Sequence, residues 1–334
     1  MQGLPATRRT TEDGLHAACL KGRAMTATNV DQLFADLLAW QASVETPPAT
    51  GGRYSLYALI DGVLDATLLG EADRHGIAWR GLYPESMLES RTPAMGPLLV
   101  ALDPARAEHE AFMRLLLKRA QTQDLMVWIA SRQPIDALAI HLQAYAEVVL
   151  PDGRRALLRH YDPSILEILV SVFDEQQRAD FLAGVREYRY WRSGWRSVAG
   201  VDADTLPKAL VDTIVLTPAQ FELLSNESFA ETLYHRLKDE LLPPASAMDS
   251  HDCITTIRAL LARAAQTHGL KSESDLAYFT LLALNVHPSF DTHAQIAETL
   301  AAQSDSDAPL TAKLEGIDAV VWDELLRERD AAVA

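Results

Sequence analysis

The chain has 334 residues, 48% of them hydrophobic, which is typical of a folded protein with one large or two ordinary domains. Its 46 acidic residues outnumber the 30 basic ones and give a net charge of -16, which argues against binding to nucleic acid or to an anionic membrane. We therefore expect its partners to be proteins or small molecules.

The cysteines and the N-terminal leader indicate a cytoplasmic protein. Cys19 and Cys253 lie far apart in the sequence and suggest neither a disulfide framework nor a cysteine zinc site. No run reaches the roughly 18 apolar residues that a membrane-spanning helix needs. Residues 1–24 lack the apolar core of a signal peptide, and their polar, mixed composition predicts disorder. Translation could start at Met25 instead of Met1.

The first half of the chain alternates between strand and helix patterns after an initial helix at 31–43. Apolar runs predict strands and amphipathic stretches predict helices in the order strand 54–60, helix 64–76, strand 97–103, helix 107–121, strand 125–131 and helix 134–145. Such alternation is typical of a sheet whose strands are joined by helical crossovers.

Two apolar runs around Pro151-Asp152-Gly153 break this rhythm and predict a hairpin, followed by helices at 163–172 and 174–184. The sequence therefore predicts an α/β lobe over residues 25–204. Its sheet is expected to be mixed and mainly parallel, with helical crossovers and one antiparallel hairpin.

Strand signals nearly vanish from residue 205 onward, and helical patterns begin at capping residues. These predicted starts are Thr217-Pro218, Asn226, Ser272 and Asp291-Thr292. Residues 201–334 hold 22 acidic and 9 basic side chains, so this part carries -13 of the total charge of -16. We expect an acidic, all-α lobe over 205–334.

Four polar positions follow predicted strands and could form a catalytic site. In a parallel sheet Asp61, Asp103, Arg132 and Asp162 would gather at one edge, where ligands usually bind, and would suit a hydrolase-like enzyme. The alternative, which we favour, is that each Asp caps or turns the chain before a helix. Common nucleotide-binding, metalloprotease and hydrolase motifs are absent from the sequence, so these enzyme classes are unsupported, and we expect no metal site and no cofactor.

A basic, aromatic stretch at 185–200 is a candidate for binding a protein partner. Arginine together with tyrosine and tryptophan is typical of interface hot spots. The candidate residues are Arg186, Tyr188, Arg189, Tyr190, Trp191, Arg192 and Trp195. Equally well, the stretch could be an edge strand whose aromatic rings pack on the core while its arginines meet the acidic lobe.

The segment LLRHYDP (157–163) places His160, Tyr161 and Asp162 side by side at the end of the hairpin's second strand, predicted at 154–161. Strand alternation would put His160 on the opposite face from Tyr161. Asp162 before Pro163 is typical of an N-cap followed by a first-turn proline. The three residues are thus predicted to mark a strand end and a helix start.

Several segments together resemble the domain-of-unknown-function family 4123, whose members act as effector chaperones, or adaptors, of the bacterial type VI secretion system. The resembling segments, in order, are YALIDG (57–62), PLLVALD (97–103), MVWIASRQPIDALAIHLQAY (126–145) and RHYDPSILEIL (159–169). The recurring family positions fall here on Asp61, Gly62, Ser131, Arg132, Tyr161, Asp162 and Pro163, which we interpret as mainly structural.

The resemblance implies a cytoplasmic protein without catalysis of its own. Such adaptors bind a particular toxic effector and the C-terminal region of its VgrG spike protein, and load the effector before firing. Alternatives are the hydrolase-like enzyme and an immunity-type protein that binds an effector in order to inhibit it.

Overall fold

The computed structural model describes residues 29–44, 53–85, 87–192, 194–203, 206, 214–302 and 308–333. The predicted leader, the alternative start at Met25 and the predicted boundary at 204/205 lie outside these residues. In chain order the elements are α1 (Val30–Val44), β1 (Ser55–Asp61), α2 (Leu68–Arg74), β2 (Trp79–Gly81), β3 (Pro97–Leu102), α3 (Ala107–Ala120), β4 (Met126–Ser131), α4 (Ile135–Gln143), β5 (Glu147–Val149), β6 (Arg155–Leu157), α5 (Pro163–Val172), α6 (Glu175–Phe181), β7 (Glu187–Trp191), β8 (Trp195–Ala199), β9 (Ile214–Val215), α7 (Pro218–Leu237), α8 (Ser250–His268), α9 (Glu273–Asn285), α10 (Ala294–Ala302), α11 (Leu310–Leu314) and α12 (Ala319–Val333).

The main sheet has six strands in the order β2-β3-β1-β4-β7-β8, and every neighbouring pair is antiparallel. The prediction of a mainly parallel sheet was therefore wrong. The crossover helix α3 does return the chain in the direction of β3, but β4 pairs with β1 and not with β3. Since β1 lies between these two parallel strands, the connection is a split βαβ unit and leaves no parallel neighbours.

Helices cover both faces of this sheet, which explains why the strands β1, β3 and β4 are apolar along most of their length. Along β1, Leu56, Ala58 and Ile60 face a core formed with α1 and α3, whereas Tyr57 and Leu59 face a second core formed with α4 and α5. Continuous apolar runs are most common in parallel sheets, where helices also cover both faces. The sequence pattern thus correctly indicated two covered faces but could not indicate strand direction.

The predicted hairpin is confirmed, but it lies outside the main sheet. Strands β5 and β6 pair antiparallel across Pro151–Gly153, and β9 joins β5 in parallel to make a separate sheet in the order β6-β5-β9. Gly153 has a φ of +83°, a conformation that glycine adopts without strain. With only two residues, β9 is too short to give a periodic signal in the sequence.

Helices α7–α12 build a third hydrophobic core, so the C-terminal part is helical as predicted. The predicted caps Thr217 and Ser272 are confirmed, since each side chain accepts a hydrogen bond from the backbone three residues on. Asn226 lies inside α7, and Asp291-Thr292 lies in a short 3₁₀ turn before α10, so these two predicted starts were wrong. In the described residues, no helix is long and apolar enough to cross a membrane.

Gly62, directly after β1, is packed against the segment that precedes β3. Its N–H donates to the Gly96 carbonyl at 3.1 Å. A Cβ atom built on Gly62 would lie 2.5 Å from the Ala94 carbonyl oxygen and 2.6 Å from that of Gly96. Since both atoms belong to the backbone, only glycine fits here without moving one of the two chain segments.

Replacing Gly62 by Ala is expected to lower the free energy of unfolding by about 1–3 kcal/mol, because the methyl group overfills this contact. Denaturant unfolding followed by circular dichroism measures the change. Gly70→Ala is the matched control, since nothing lies within 4 Å of its added Cβ and alanine favours the α2 helix. Equal midpoints for Gly62→Ala and the wild type would contradict the close packing.

Candidate functional site

The structure does not bring together the four residues of the predicted strand-end cluster. In the antiparallel register Asp61 lies opposite Pro97, the first residue of β3, whereas Asp103 follows the last residue of that strand. Arg132 likewise follows β4 at the end where β1 begins. Asp61 and Asp162 therefore lie at one end of the sheet and Asp103 and Arg132 at the other, so the hydrolase-like hypothesis loses its geometric basis.

At the second end, the polar residues hold the chain's own loops. The Asp103 carboxylate accepts a hydrogen bond from the Ala105 N–H at 3.0 Å, which is a turn interaction. Arg132 pairs with Asp202 at 2.9 Å. The buried Ser131 hydroxyl donates to the Gly184 carbonyl at 2.5 Å and so ties the end of β4 to the chain entering β7.

Asp61 is the most deeply buried carboxylate at the first end of the sheet, with 0% of its surface exposed. One carboxylate oxygen accepts from the Val63 N–H at 3.0 Å, and the other accepts from Arg159 at 2.7 Å. Arg159 also lies 3.3 Å from the Asp162 carboxylate. The pairing compensates a buried charge that would otherwise be costly. Sequence reasoning did not single out Arg159, although it belongs to the RHYDP segment.

Asp162 has the predicted capping role. Its Oδ1 accepts from the Ser164 N–H at 2.9 Å and from the Ser164 hydroxyl at 2.7 Å, and Pro163 is the first residue of α5. The neighbouring Tyr161 is buried, with its hydroxyl 3.1 Å from the hydroxyl of Tyr83. Burial raises the pKa of Tyr161 above its ordinary value, so this phenol stays protonated near neutral pH.

His160 and Tyr161 are both buried, which contradicts the predicted strand alternation. The strand ends at Leu157, and the Asp162 N–H then donates to the Arg159 carbonyl at 2.9 Å in a turn. The His160 ring packs edge-on against Tyr161 and Phe181, and neither of its nitrogens has a hydrogen-bond partner among the described residues. His160, Tyr161 and Asp162 make separate contacts and do not converge on one ligand position.

The basic, aromatic stretch forms the β7-β8 hairpin at the edge of the main sheet. Tyr188 and Tyr190 are buried in the core that faces α4 and α5, and Arg192 is buried as well. Arg186 is exposed, while Arg189, Trp191 and Trp195 are partly exposed. The partner-binding role stays a prediction for these four, because the other three side chains are occupied inside the chain.

Arg189 and the tryptophans make a stacked group on the opposite face of the hairpin. The Arg189 guanidinium lies 4.6 Å from the Trp195 ring centroid and 5.6 Å from that of Trp40. Trp191 and Trp195 contact each other edge to face, with centroids 5.5 Å apart. This packing agrees with the alternative interpretation of the stretch, an edge strand whose aromatic rings pack against the rest of the chain.

Arg192 connects the sheet to the helical part through three carboxylates. It lies 3.0 Å from Glu167 on α5, 3.0 Å from Glu231 on α7 and 3.4 Å from Asp124. Glu231 is also 3.6 Å from Arg258 on α8. Burial alone would lower the pKa of Arg192, but the surrounding carboxylates raise it, so the guanidinium stays charged. At this residue an arginine of the hairpin meets the acidic helices, as the edge-strand alternative predicted.

Described residues contain no group of three histidine, cysteine or acidic side chains placed to hold a metal ion. The polar motif residues instead form hydrogen bonds with loops and helix starts of the chain itself. They lie around an antiparallel sheet that helices cover on both faces.

Residues 56–180 match the family model described as "Domain of unknown function (DUF4123)". This segment runs from β1 to α6 and contains the Asp61-Arg159-Asp162 cluster, but not the β7-β8 hairpin or helices α7–α12. Over residues 56–180 the chain is thus similar to this family, which is associated with type VI secretion effectors. The searches of curated proteins and of solved structures found no match.

Replacing Arg192 by Met is expected to lower the free energy of unfolding by about 3 kcal/mol, because among the described residues it leaves the nearly buried Glu231 with the more distant Arg258, at 3.6 Å, as its ion-pair partner. Denaturant unfolding of Arg192→Met, Glu231→Gln and the double variant gives the coupling energy. Arg154→Met, which breaks an exposed pair with Asp152, is the control and should cost much less. Equal costs at the two arginines would contradict a buried network.

His160 is expected to make stability depend on pH. Burial, with a smaller contribution from His141, lowers the pKa of His160 from 6.5 to about 4. Between these values the unfolded chain binds a proton that the folded chain does not, so stability is full above about pH 6.5 and falls toward pH 4, by about 3 kcal/mol in all.

His160→Phe should keep the wild-type stability at pH 7, since the ring nitrogens lack partners in the described structure, and should lose less stability at pH 4.5. Urea unfolding at several pH values measures both slopes, and His251→Gln, a partly exposed histidine, is the control. Parallel slopes for His160→Phe and the wild type would show that His160 does not titrate as expected.

Proposed function

We propose that this protein is a type VI secretion adaptor, or effector chaperone. It binds one toxic effector in the cytoplasm together with the C-terminal region of the VgrG spike protein, and it loads the effector without catalysing a reaction. The observation that carries this proposal is the family match over residues 56–180.

The position of the motif residues supports a binding role over a catalytic one. Hydrogen bonds to the chain's own backbone and to Arg159 occupy the side chains of Asp61, Ser131 and Asp162. These bonds fix loops at both ends of the sheet. A rigid frame with fixed loops is the arrangement from which proteins commonly present binding surfaces.

The charge distribution fits two protein partners that attach at different places. The region after residue 200 carries a net charge of -13, against -3 for the preceding residues. Charge complementarity guides the choice and orientation of partners more than it adds affinity. We assign the acidic helices to one partner and the sheet lobe to the other.

Co-purification tests the proposal. The tagged protein is expressed with the effector and the VgrG protein encoded nearest to its gene, and we expect a complex of all three. VgrG lacking its C-terminal region and a VgrG from a different gene cluster are the controls and should not be retained. Absence of binding to both neighbours at micromolar concentration would refute the adaptor role.

Toxicity measurements separate loading from inhibition. An adaptor should be required for delivery of the effector to a target cell. If co-expression instead protects a cell from the effector, and this protection needs no spike protein, the immunity-type alternative replaces the adaptor.

A further inference from the structure

The segment between β2 and β3 and the loop after β1 each present exposed apolar side chains. It contains two short 3₁₀ turns, in which Leu88 is 70% and Met95 is 47% exposed. In the loop after β1, Val63 is 55% and Leu64 is 40% exposed. The contact of Gly62 with the Ala94 and Gly96 carbonyls holds the two segments together. We call these four side chains the apolar rim; single exposed apolar residues are ordinary, but a group of them marks an interaction site.

A cavity of about 240 Å³ opens within the same segment. Its walls include the aromatic rings of Trp79 and Tyr83 and the carboxylates of Glu85 and Glu89. Both glutamates are exposed, and within the described residues neither carboxylate has a hydrogen bond or an ion pair. Arg91, the one basic residue of this segment, does not line the cavity.

The size and lining of the cavity indicate its occupant. Sites for drug-sized ligands measure roughly 300–1,000 Å³, so this cavity suits one side chain better than a metabolite. Two unpaired carboxylates attract a cation through charge, and the aromatic residues of the lining suit the apolar stem of a long basic side chain. A second copy of this chain is a poor occupant, because each copy has a net charge of -16 and the copies repel each other.

We propose that this cavity takes a lysine or arginine side chain from a peptide segment of a protein partner, and that apolar residues next to that side chain cover the apolar rim. The proposal rests on the proposed function, because the partner is one of the proteins that the adaptor loads. It adds to that function a binding place and the chemistry of the segment that binds there.

The family motif positions explain how this surface keeps its shape. Asp61 fixes the loop that carries Val63 by accepting the Val63 N–H. A Cβ atom on Gly96 would lie 2.8 Å from the Tyr83 ring, which in turn contacts Tyr161 through its hydroxyl. The cavity wall and the rim are therefore anchored to the buried cluster at this end of the sheet, which reduces the cost of ordering them on binding.

Binding affinities of two surface variants test the proposal, with the neighbouring effector and VgrG proteins as probes. Leu88→Ser/Met95→Ser and Glu85→Gln/Glu89→Gln are each expected to weaken the binding of one probe about tenfold or more. Val201→Ser and Glu108→Gln, at exposed positions near the opposite end of the sheet, are the matched controls and should bind as the wild type does. Thermal unfolding checks that every variant is folded.

Salt dependence distinguishes the charged contact from a general loss of binding. Raising the salt from about 50 to about 500 mM should weaken the wild type and the Leu88→Ser/Met95→Ser variant alike, because salt screens exposed charges. Glu85→Gln/Glu89→Gln should respond less, and Glu85→Lys/Glu89→Lys should bind more weakly than the glutamine variant.

The outcomes separate this proposal from the function on which it rests. If the wild type binds neither probe, the proposed function is wrong and the surface proposal fails with it. If the wild type binds and folded rim and cavity variants bind equally well, only the surface proposal is overturned. It is also overturned if analytical ultracentrifugation shows a dimer of the chain alone that Leu88→Ser/Met95→Ser abolishes.

Discussion

The ion pair between the buried carboxylate of Asp61 and Arg159 is the interaction on which one end of the structure depends. A carboxylate with no exposed surface must be paired, and the only cation that reaches it comes, among the described residues, from the turn between β6 and α5. The pair thereby joins the central strand β1 to the start of α5. It also fixes the loop after β1, against which the segment before β3 is packed.

A second buried cation, Arg192, connects the main sheet to the helical part of the chain. Arg192 leaves the edge hairpin and reaches carboxylates on α5 and α7, so the antiparallel sheet and the acidic helices share one charged contact. Buried charges of this kind add little net stability compared with apolar packing, but removing one partner is costly. Here Arg192 holds the hairpin in contact with α5 and α7.

The exposed surfaces that could bind partners lie in different places on the molecule. The family segment presents the cavity and the apolar rim at the end of the sheet that Asp61 stabilises, whereas the hairpin carries its stacked arginine and tryptophans at an edge. The adaptor role that we propose requires two such separate surfaces. In the aromatic stretch Tyr188, Tyr190 and Arg192 belong to the interior, whereas its other candidate residues are exposed or partly exposed.

The sequence by itself determined the positions of most strands and helices of the first half, the caps at Asp162, Thr217 and Ser272, and the family, because periodicity, capping and motif order are local properties. Only tertiary structure decided the strand directions and the partners of Arg159 and Arg192. It also decided which end of the main sheet holds each of the four polar residues Asp61, Asp103, Arg132 and Asp162. These features depend on contacts between residues far apart in the chain, such as Arg159 and Asp61, and no local sequence pattern encodes such contacts. The position of β1 between β3 and β4 is a further example. The sequence pattern of the β3-α3-β4 crossover is the same whether or not another strand lies between β3 and β4.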